Sequence, residues 1–286
     1  MKTLFVSDLD GTLLTKNECV SAYSVEHINS LIDRGLSLTF ATARSVHGAK
    51  GALQGLKIQL PAVFYNGALI YDIVQNKTLA FHCFDEALKK ELLEKLNEFE
   101  IAPLIFGAVP DRERVVWLEG KESPSMQRYL AWRKGDRRLT AAHSTQDLLD
   151  GYVFTFKCVG PGEKMERAWN VLKYDPRIIC IYHKETYQED YWMDISVRSA
   201  TKANGVRFLK EHFGCEKLVC FGDSSNDSDM FDVCDEKYAV MNADSWLKER
   251  RRASSAIAKR TALQSGWMKT PSKTDHQKTK IPRYPR

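Results

Sequence analysis

The chain of 286 residues carries 42 Lys+Arg against 37 Asp+Glu and is 43% hydrophobic, the balance of an ordinary globular protein with one large or two medium domains. No apolar run approaches the roughly 20 residues that cross a bilayer, and the N-terminal MKTLFVSDLDG reaches charge too early for a secretory signal, so a cytoplasmic location and no membrane contact are expected. Residues 247 to 286 hold 12 of the cations beside Glu249 and Asp275; the other 246 residues hold 30 cations and 35 acids, which argues against a nucleic-acid-binding body.

In chain order, TLFVS (3 to 7) reads as a buried strand, and residues 22 to 33 place Val25, Ile28, Leu31 and Ile32 at helical spacing before Gly35. LSLTFATAR (36 to 44) reads as a second strand and residues 62 to 72 as a third, with a turn at Asn66-Gly67 and a helix between the two. Strand, helix, strand in this rhythm predicts a parallel sheet. From about residue 83 helices and strand-like pieces mix for about a hundred residues, and the parallel rhythm resumes with a helix at KANGVRFLKEHFG, a strand at KLVCFGDSSND and another at YAVMN. The predicted fold class is therefore α/β, a Rossmann-like parallel-sheet core interrupted by an inserted α+β cap. The core is expected over 1 to 82 and 191 to 249, the cap over 83 to 190, and a basic tail over 250 to 286. The seven cysteines contain no CxxC pair, and their odd number predicts reduced thiols.

Chemistry is carried by acidic groups at strand ends. Asp8 and Asp10 follow the first strand, Gly11 permits a loop there, and ligands of open parallel sheets bind beyond such carboxyl ends. LVCFGDSSND repeats the design with Asp223, Asn226 and Asp227. If the two strands are neighbours, their carboxylates converge on a hard, oxygen-seeking cation such as Mg²⁺; zinc is disfavoured, because neither group brings histidine or cysteine. Thr42, after the second apolar run, offers a hydroxyl and a backbone N–H to a phosphate, and Lys202, opening a helix, offers a point charge. Phosphoryl transfer asks for this set: neutralised equatorial oxygens, an in-line nucleophile and a proton donor for the leaving oxygen. Asp8 as nucleophile and Asp10 as acid, then base, would complete it. Read one at a time the residues have plainer roles: DxDGT as a turn or calcium loop, Asp227 as a helix cap, Lys202 as an exposed helix opener.

Taken together, Asp8-Leu9-Asp10-Gly11-Thr12, Thr42, Lys202 and Gly222-Asp223-Ser224-Ser225-Asn226-Asp227 resemble, in order, the four motifs of the haloacid-dehalogenase-like phosphatases. The placing of the insertion is similar to the C2 cap of the Cof-type sugar-phosphatase branch, as are Asn66-Gly67-Ala68 and Met241-Asn242-Ala243. The resemblance covers about residues 1 to 246. It implies Asp8 as nucleophile and Asp10 as general acid/base, with Mg²⁺ on Asp8, the Asp10 carbonyl and Asp223, and Asp227 as an outer metal partner. It also implies phosphate on Leu9, Thr42, Ala43, Lys202 and Asn226, with Arg44, Asn66 and Gly67 on the substrate side. Ala43 departs from the glycine usual in that branch, which narrows the pocket and keeps the backbone donor.

The expectation is an Mg²⁺-dependent phosphatase forming an aspartyl-phosphate on a small phosphorylated metabolite, most simply a sugar phosphate. A dedicated sucrose-, trehalose- or mannosylglycerate-phosphate phosphatase or a phosphomutase is the alternative within the superfamily, and a non-catalytic phosphometabolite-binding module the alternative outside it. Paired, mutually repelling carboxylates argue against an idle site. The tail from Glu249 has the composition of a disordered segment; a solvated basic end, a contact with RNA or another anionic surface, and a slipped reading frame near residue 249 are three accounts of it. Oligomeric state is left open.

Overall fold

TLFVS forms the strand β1 (Thr3–Ser7), and its alternation explains the layout around it. Phe5 joins one apolar cluster while Leu4 and Val6 join another, so the strand is covered on both faces. The computed structural model describes residues 2–110, 112–184 and 189–249; the basic tail, 250 to 286, lies outside them.

After β1 come α1 (Ala22–Asp33), β2 (Ser37–Phe40), α2 (Val46–Ala52), β3 (Ala62–Phe64), β4 (Leu69–Asp72) and β5 (Lys77–Phe81). The insertion follows, with α3 (Glu86–Glu98), β6 (Leu104–Val109), β7 (Arg112–Leu118), α4 (Pro124–Trp132), β8 (Leu139–Ala142), α5 (Thr145–Leu149), β9 (Tyr152–Gly160), α6 (Gly162–Leu172), β10 (Ile178–Lys184) and β11 (Tyr191–Val197). The chain then returns through α7 (Lys202–His212), β12 (Lys217–Gly222), α8 (Ser228–Val233), β13 (Glu236–Ala239) and α9 (Ser245–Glu249).

The core sheet has the order β13-β12-β1-β2, all parallel, so the two segments that flank the insertion share one sheet. β1 lies between β12 and β2, with Ser7 opposite both Phe221 and Phe40. Asp8 therefore leaves the sheet beside Gly222-Asp223, one strand spacing away. Mixed α/β architecture with a parallel core is as expected, and no helix among the described residues is long and apolar enough to cross a membrane.

Three details differ from the sequence reading. Residues 62 to 72 are not one strand: β3 meets the core through a parallel Ala41–Val63 bridge, a 3-10 turn at Tyr65–Gly67 reverses the chain as the Asn66-Gly67 turn predicts, and β3, β4 and β5 make a separate antiparallel sheet. The boundary drawn at 190/191 cuts through the inserted sheet. β11 pairs with both β10 and β9, completing the order β10-β11-β9-β6-β7-β8, so the insertion extends through Val197. The alternation in YWMDIS is the same on either side of a domain border and carries no border signal. Finally, Cys220 on β12 and Cys234 after α8 are joined as a disulfide, with Cα atoms 6.1 Å apart, which corrects the expectation of seven reduced thiols. The pair is brought together by tertiary contact across 14 positions, which no short cysteine motif announces.

Candidate active site

Three loops at the carboxyl ends of β1, β2 and β12 and the N-terminus of α7 meet at one point. Asp8 is 3% exposed, Thr42 and Asp227 are fully buried, and Lys202 is 1% exposed. Lys202 Nζ donates to Asp8 Oδ1 at 2.6 Å and to Asp227 Oδ1 at 2.7 Å, tying together residues 194 and 25 positions away. Burial opposes the ammonium charge, yet Asp8 and Asp227 hold it protonated well above its usual range. Burial pushes the Asp8 carboxyl up to about 7; Lys202 pulls it down, while Asp227 and Asp223 add repulsion. A buried arrangement of three carboxylates around one ammonium calls for further positive charge.

Carboxylate oxygens of Asp8, Asp223 and Asp227 lie within 4.8 Å of one another. Their availability differs. Asp227 is occupied by its own loop: Oδ2 accepts the Asp223 and Ser224 N–H groups at 2.9 and 3.2 Å while Oδ1 takes Lys202. It therefore shapes the loop and orients Lys202. The bonds at Asp8 and Asp223 engage one oxygen each, with Thr12 Oγ1 donating to Asp223 Oδ1 at 3.2 Å. Two half-engaged carboxylates at the meeting of two strand ends, with burial and Asp227 raising the pKa of Asp223, fit a small, hard divalent cation that keeps part of its water shell.

Glycines permit these approaches. A Cβ on Gly11 would sit 2.1 Å from Asp223 Oδ2, and its φ of +76° is unfavourable for other residues. Gly67, at φ +106°, would place a Cβ 2.1 Å from the Thr201 carbonyl. That close contact seats the 3-10 turn on the N-terminus of α7, where Thr201 caps the helix and Lys202 begins it. The turn also delivers Asn66, whose Oδ1 accepts from Asn226 Nδ2 at 3.3 Å. Asn242 Nδ2 binds the Gly11 carbonyl at 2.7 Å, bringing the last accessory motif to the same loop.

The predicted residues thus come together, with two refinements. The Thr42 N–H, offered above to phosphate, is taken by the Val63 carbonyl at 2.9 Å; its hydroxyl oxygen accepts the Arg44 N–H at 3.1 Å, leaving the O–H proton to donate. Asp10 does not share the metal-type cluster through its side chain. Its carboxylate, 53% exposed, is gripped by Arg44 at 2.8 Å through Nε and 2.6 Å through Nη2, and Arg44 also reaches Glu18 at 3.0 Å. Leu9 and Ala43 lie on the loops that carry Asp8 and Arg44.

Sequence reasoning missed the residues that join the insertion to the core. Glu113 on β7 accepts the Val46 and His47 N–H groups at 3.0 and 2.9 Å, at the N-terminus of α2, and the Tyr65 hydroxyl at 2.8 Å. Burial, reinforced by Glu113, raises the Tyr65 pKa well above its usual value. Arg138 donates to Ser45 Oγ at 2.7 Å. Beneath these contacts lies a cavity of about 700 Å³ bordered by Ala43 and Arg44 from the core and by the cap sheet. Glu113, opening ERVVWLEG, belongs to no motif that would reveal it.

The sequence profile of the haloacid dehalogenase-like hydrolases matches residues 5–260. Among curated relatives, the 5-amino-6-(5-phospho-D-ribitylamino)uracil phosphatase YwtE of Bacillus subtilis is 26% identical over 268 residues, covering 85% of this chain and 89% of its own. Among solved structures, a haloacid dehalogenase-like hydrolase from Bacteroides thetaiotaomicron aligns with a TM-score of 0.70 at 19% identity, covering 93% of this chain and 97% of its own. The subclass IIB sugar phosphatase BT4131 aligns with a TM-score of 0.64 at 17% identity, covering 88% and 92%. The fold and the strand-end carboxylates define a phosphoryl-handling α/β hydrolase. The chain belongs to the haloacid dehalogenase-like hydrolase family and is one of its phosphatases.

Proposed function

We propose that this protein is an Mg²⁺-dependent phosphomonoesterase acting on a small phosphorylated metabolite, a sugar phosphate in the simplest case, through an aspartyl-phosphate. The observation that carries the reading is the convergence of Asp8, Asp223 and Asp227 at neighbouring strand ends with Lys202 at the N-terminus of α7. Sugar phosphate is the substrate class named for one structural relative.

Asp8 and Asp223, with the Asp10 carbonyl, would hold Mg²⁺, which when bound neutralises phosphoryl charge. Lys202, the Thr42 hydroxyl, the Leu9 and Ala43 amides and Asn226 hold the phosphoryl oxygens. Asp8 attacks phosphorus as the ester oxygen leaves. Asp10 gives that oxygen its proton, then takes one from the water that hydrolyses the acyl-phosphate. Arg44 holds the Asp10 side chain through Nε and Nη2, and an incoming phosphate would compete for that guanidinium. Glu113 and Arg138 close the insertion over the site, limiting water at the acyl-phosphate.

Hydrolysis of p-nitrophenyl phosphate tests this reading. Turnover that requires Mg²⁺ and disappears in Asp8→Asn supports it; a folded, Mg²⁺-supplied protein with no turnover of this ester or of a sugar-phosphate panel contradicts it.

A further inference from the structure

Two consecutive residues of the turn between β3 and β4, Tyr65 and Asn66, hold φ of +50° and +53°, in the left-handed region that bulky side chains avoid. Such a conformation persists where its surroundings over-determine it, and here three parts of the molecule do so. From the loop after β2, the carbonyls of Arg44 and Thr42 accept the Tyr65 and Asn66 N–H groups at 3.1 and 2.9 Å. From the inserted sheet, Glu113 on β7 accepts the Tyr65 hydroxyl at 2.8 Å, and the Tyr65 ring lies 5.2 Å from that of Phe154 on β9. Burial holds the phenol protonated, so it stays a donor. Tyr65 is thus a core residue whose side chain is seated in the cap, 5% exposed. From the loop after β12 comes Asn226, whose carboxamide is fixed at two points. Its Oδ1 accepts from Ser224 Oγ at 2.8 Å and its Nδ2 donates to Asn66 Oδ1 at 3.3 Å. A primary amide carries two N–H donors, so among the described residues one remains to be aimed.

Building on the phosphatase reading, we propose that Tyr65 is a positioning residue: anchored in the cap by Glu113, it fixes the left-handed turn in which Asn66 aims the remaining N–H of Asn226 at the phosphoryl group. The path runs from Glu113 to Tyr65 by a hydrogen bond, to Asn66 by one peptide link, and to Asn226 by a second hydrogen bond. Without the Tyr65 hydroxyl the ring is no longer tied to the cap. The turn then relaxes toward ordinary φ values and carries the Asn66 carboxamide with it. The consequence is that the cap sets the affinity for phosphate itself, a ligand whose partners in this reading all lie on the core. Contacts to a leaving group, or exclusion of water by the cap, would leave that affinity unchanged.

The test is the competitive inhibition constant of inorganic phosphate against p-nitrophenyl phosphate hydrolysis at saturating Mg²⁺. Tyr65→Phe is expected to raise it about fivefold, the worth of one hydrogen bond. Asn66→Gly removes the carboxamide yet suits the left-handed backbone, and should raise it by at least about fivefold. The double variant should stay within about twofold of Asn66→Gly, because both changes act on one contact. Glu113→Gln keeps an oxygen acceptor for Tyr65 and should stay within about twofold of wild type, whereas Glu113→Ala should match Tyr65→Phe, on the order of one hydrogen bond. Partial misfolding lowers the concentration of active enzyme, which scales the rate and leaves the inhibition constant alone, so a merely structural role would not move this readout. An unchanged constant in Tyr65→Phe, or losses that multiply in the double variant, would overturn the role of Tyr65 while wild-type turnover keeps the phosphatase reading standing. A wild type inactive on every ester overturns both.

Discussion

The strand ends of the core and the open face of the cap sheet both gather charged side chains, but they do so differently. At the core, Asp8, Asp227 and Lys202 are almost wholly buried, and backbone N–H groups and one another's charges hold them. On the cap face, Lys157 and Asp194 remain about a quarter exposed, and Asp194 Oδ1 has no hydrogen-bond partner among the described residues. On the function proposed above, tight, mutually dependent placement would suit the part that handles the phosphoryl group, and looser placement around a cavity the part that meets a variable leaving group.

If that contrast is real, disturbing the core should cost stability and chemistry together. Lys202→Met leaves Asp8 and Asp227 as neighbouring buried carboxyls without their cation; it is expected to lower turnover by at least about a thousandfold and to destabilise the fold by about 3 kcal/mol in urea unfolding. Unchanged stability would mean the buried charges do not depend on one another. Gly67→Ala should come next. Its Cβ meets the Thr201 carbonyl and its φ is strained, so a loss of about 1–3 kcal/mol is expected, with reduced kcat as the N-terminus of α7 shifts. Equilibrium unfolding and steady-state kinetics on the same sample check both.

At the junction of cap and core the balance should tip toward function. Glu113→Ala removes the acceptor for two α2 N–H groups and for Tyr65, and is expected to lower kcat/KM by about tenfold by loosening closure. Faster amide exchange at Val46 and His47 would accompany it; exchange and kinetics both unchanged would show that this contact does not hold the cap. The smallest effect should lie within the cap. The hydrogen bonds from Arg138 hold the Asp136 carboxyl down at about 2, below its ordinary 3.8. Its stabilisation is complete above that ordinary value and is lost as pH falls through about 2. Asp136→Asn should therefore cost less than about 1 kcal/mol at pH 7, and acid unfolding curves should show the difference from wild type vanish at the acid end.

The same contrast explains what could be read from the sequence. Asp8, Asp10, Thr42, Lys202, Asp223 and Asn226 were legible because each follows or opens a regular element within a few residues of a glycine or an apolar run. Parallel sheets also place such ends together. The fold class and most elements followed from the alternation of strand and helix signals. The cap face was not legible: Lys157, Trp192 and Asp194 become neighbours only through antiparallel register, which the alternation within one strand does not announce. The same lack of a local signal hid Glu113, the assignment of β11 to the cap sheet, and the Cys220–Cys234 pairing.

The central claim is that Asp8 becomes covalently phosphorylated. Acid-quenching the full-length protein during steady-state turnover of a phosphate ester with Mg²⁺, followed by peptide mass spectrometry, addresses it directly. The mass of one phosphoryl group on the peptide containing Asp8, absent from Asp8→Asn, is the predicted result; rapid turnover with that group trapped on a different residue would contradict it.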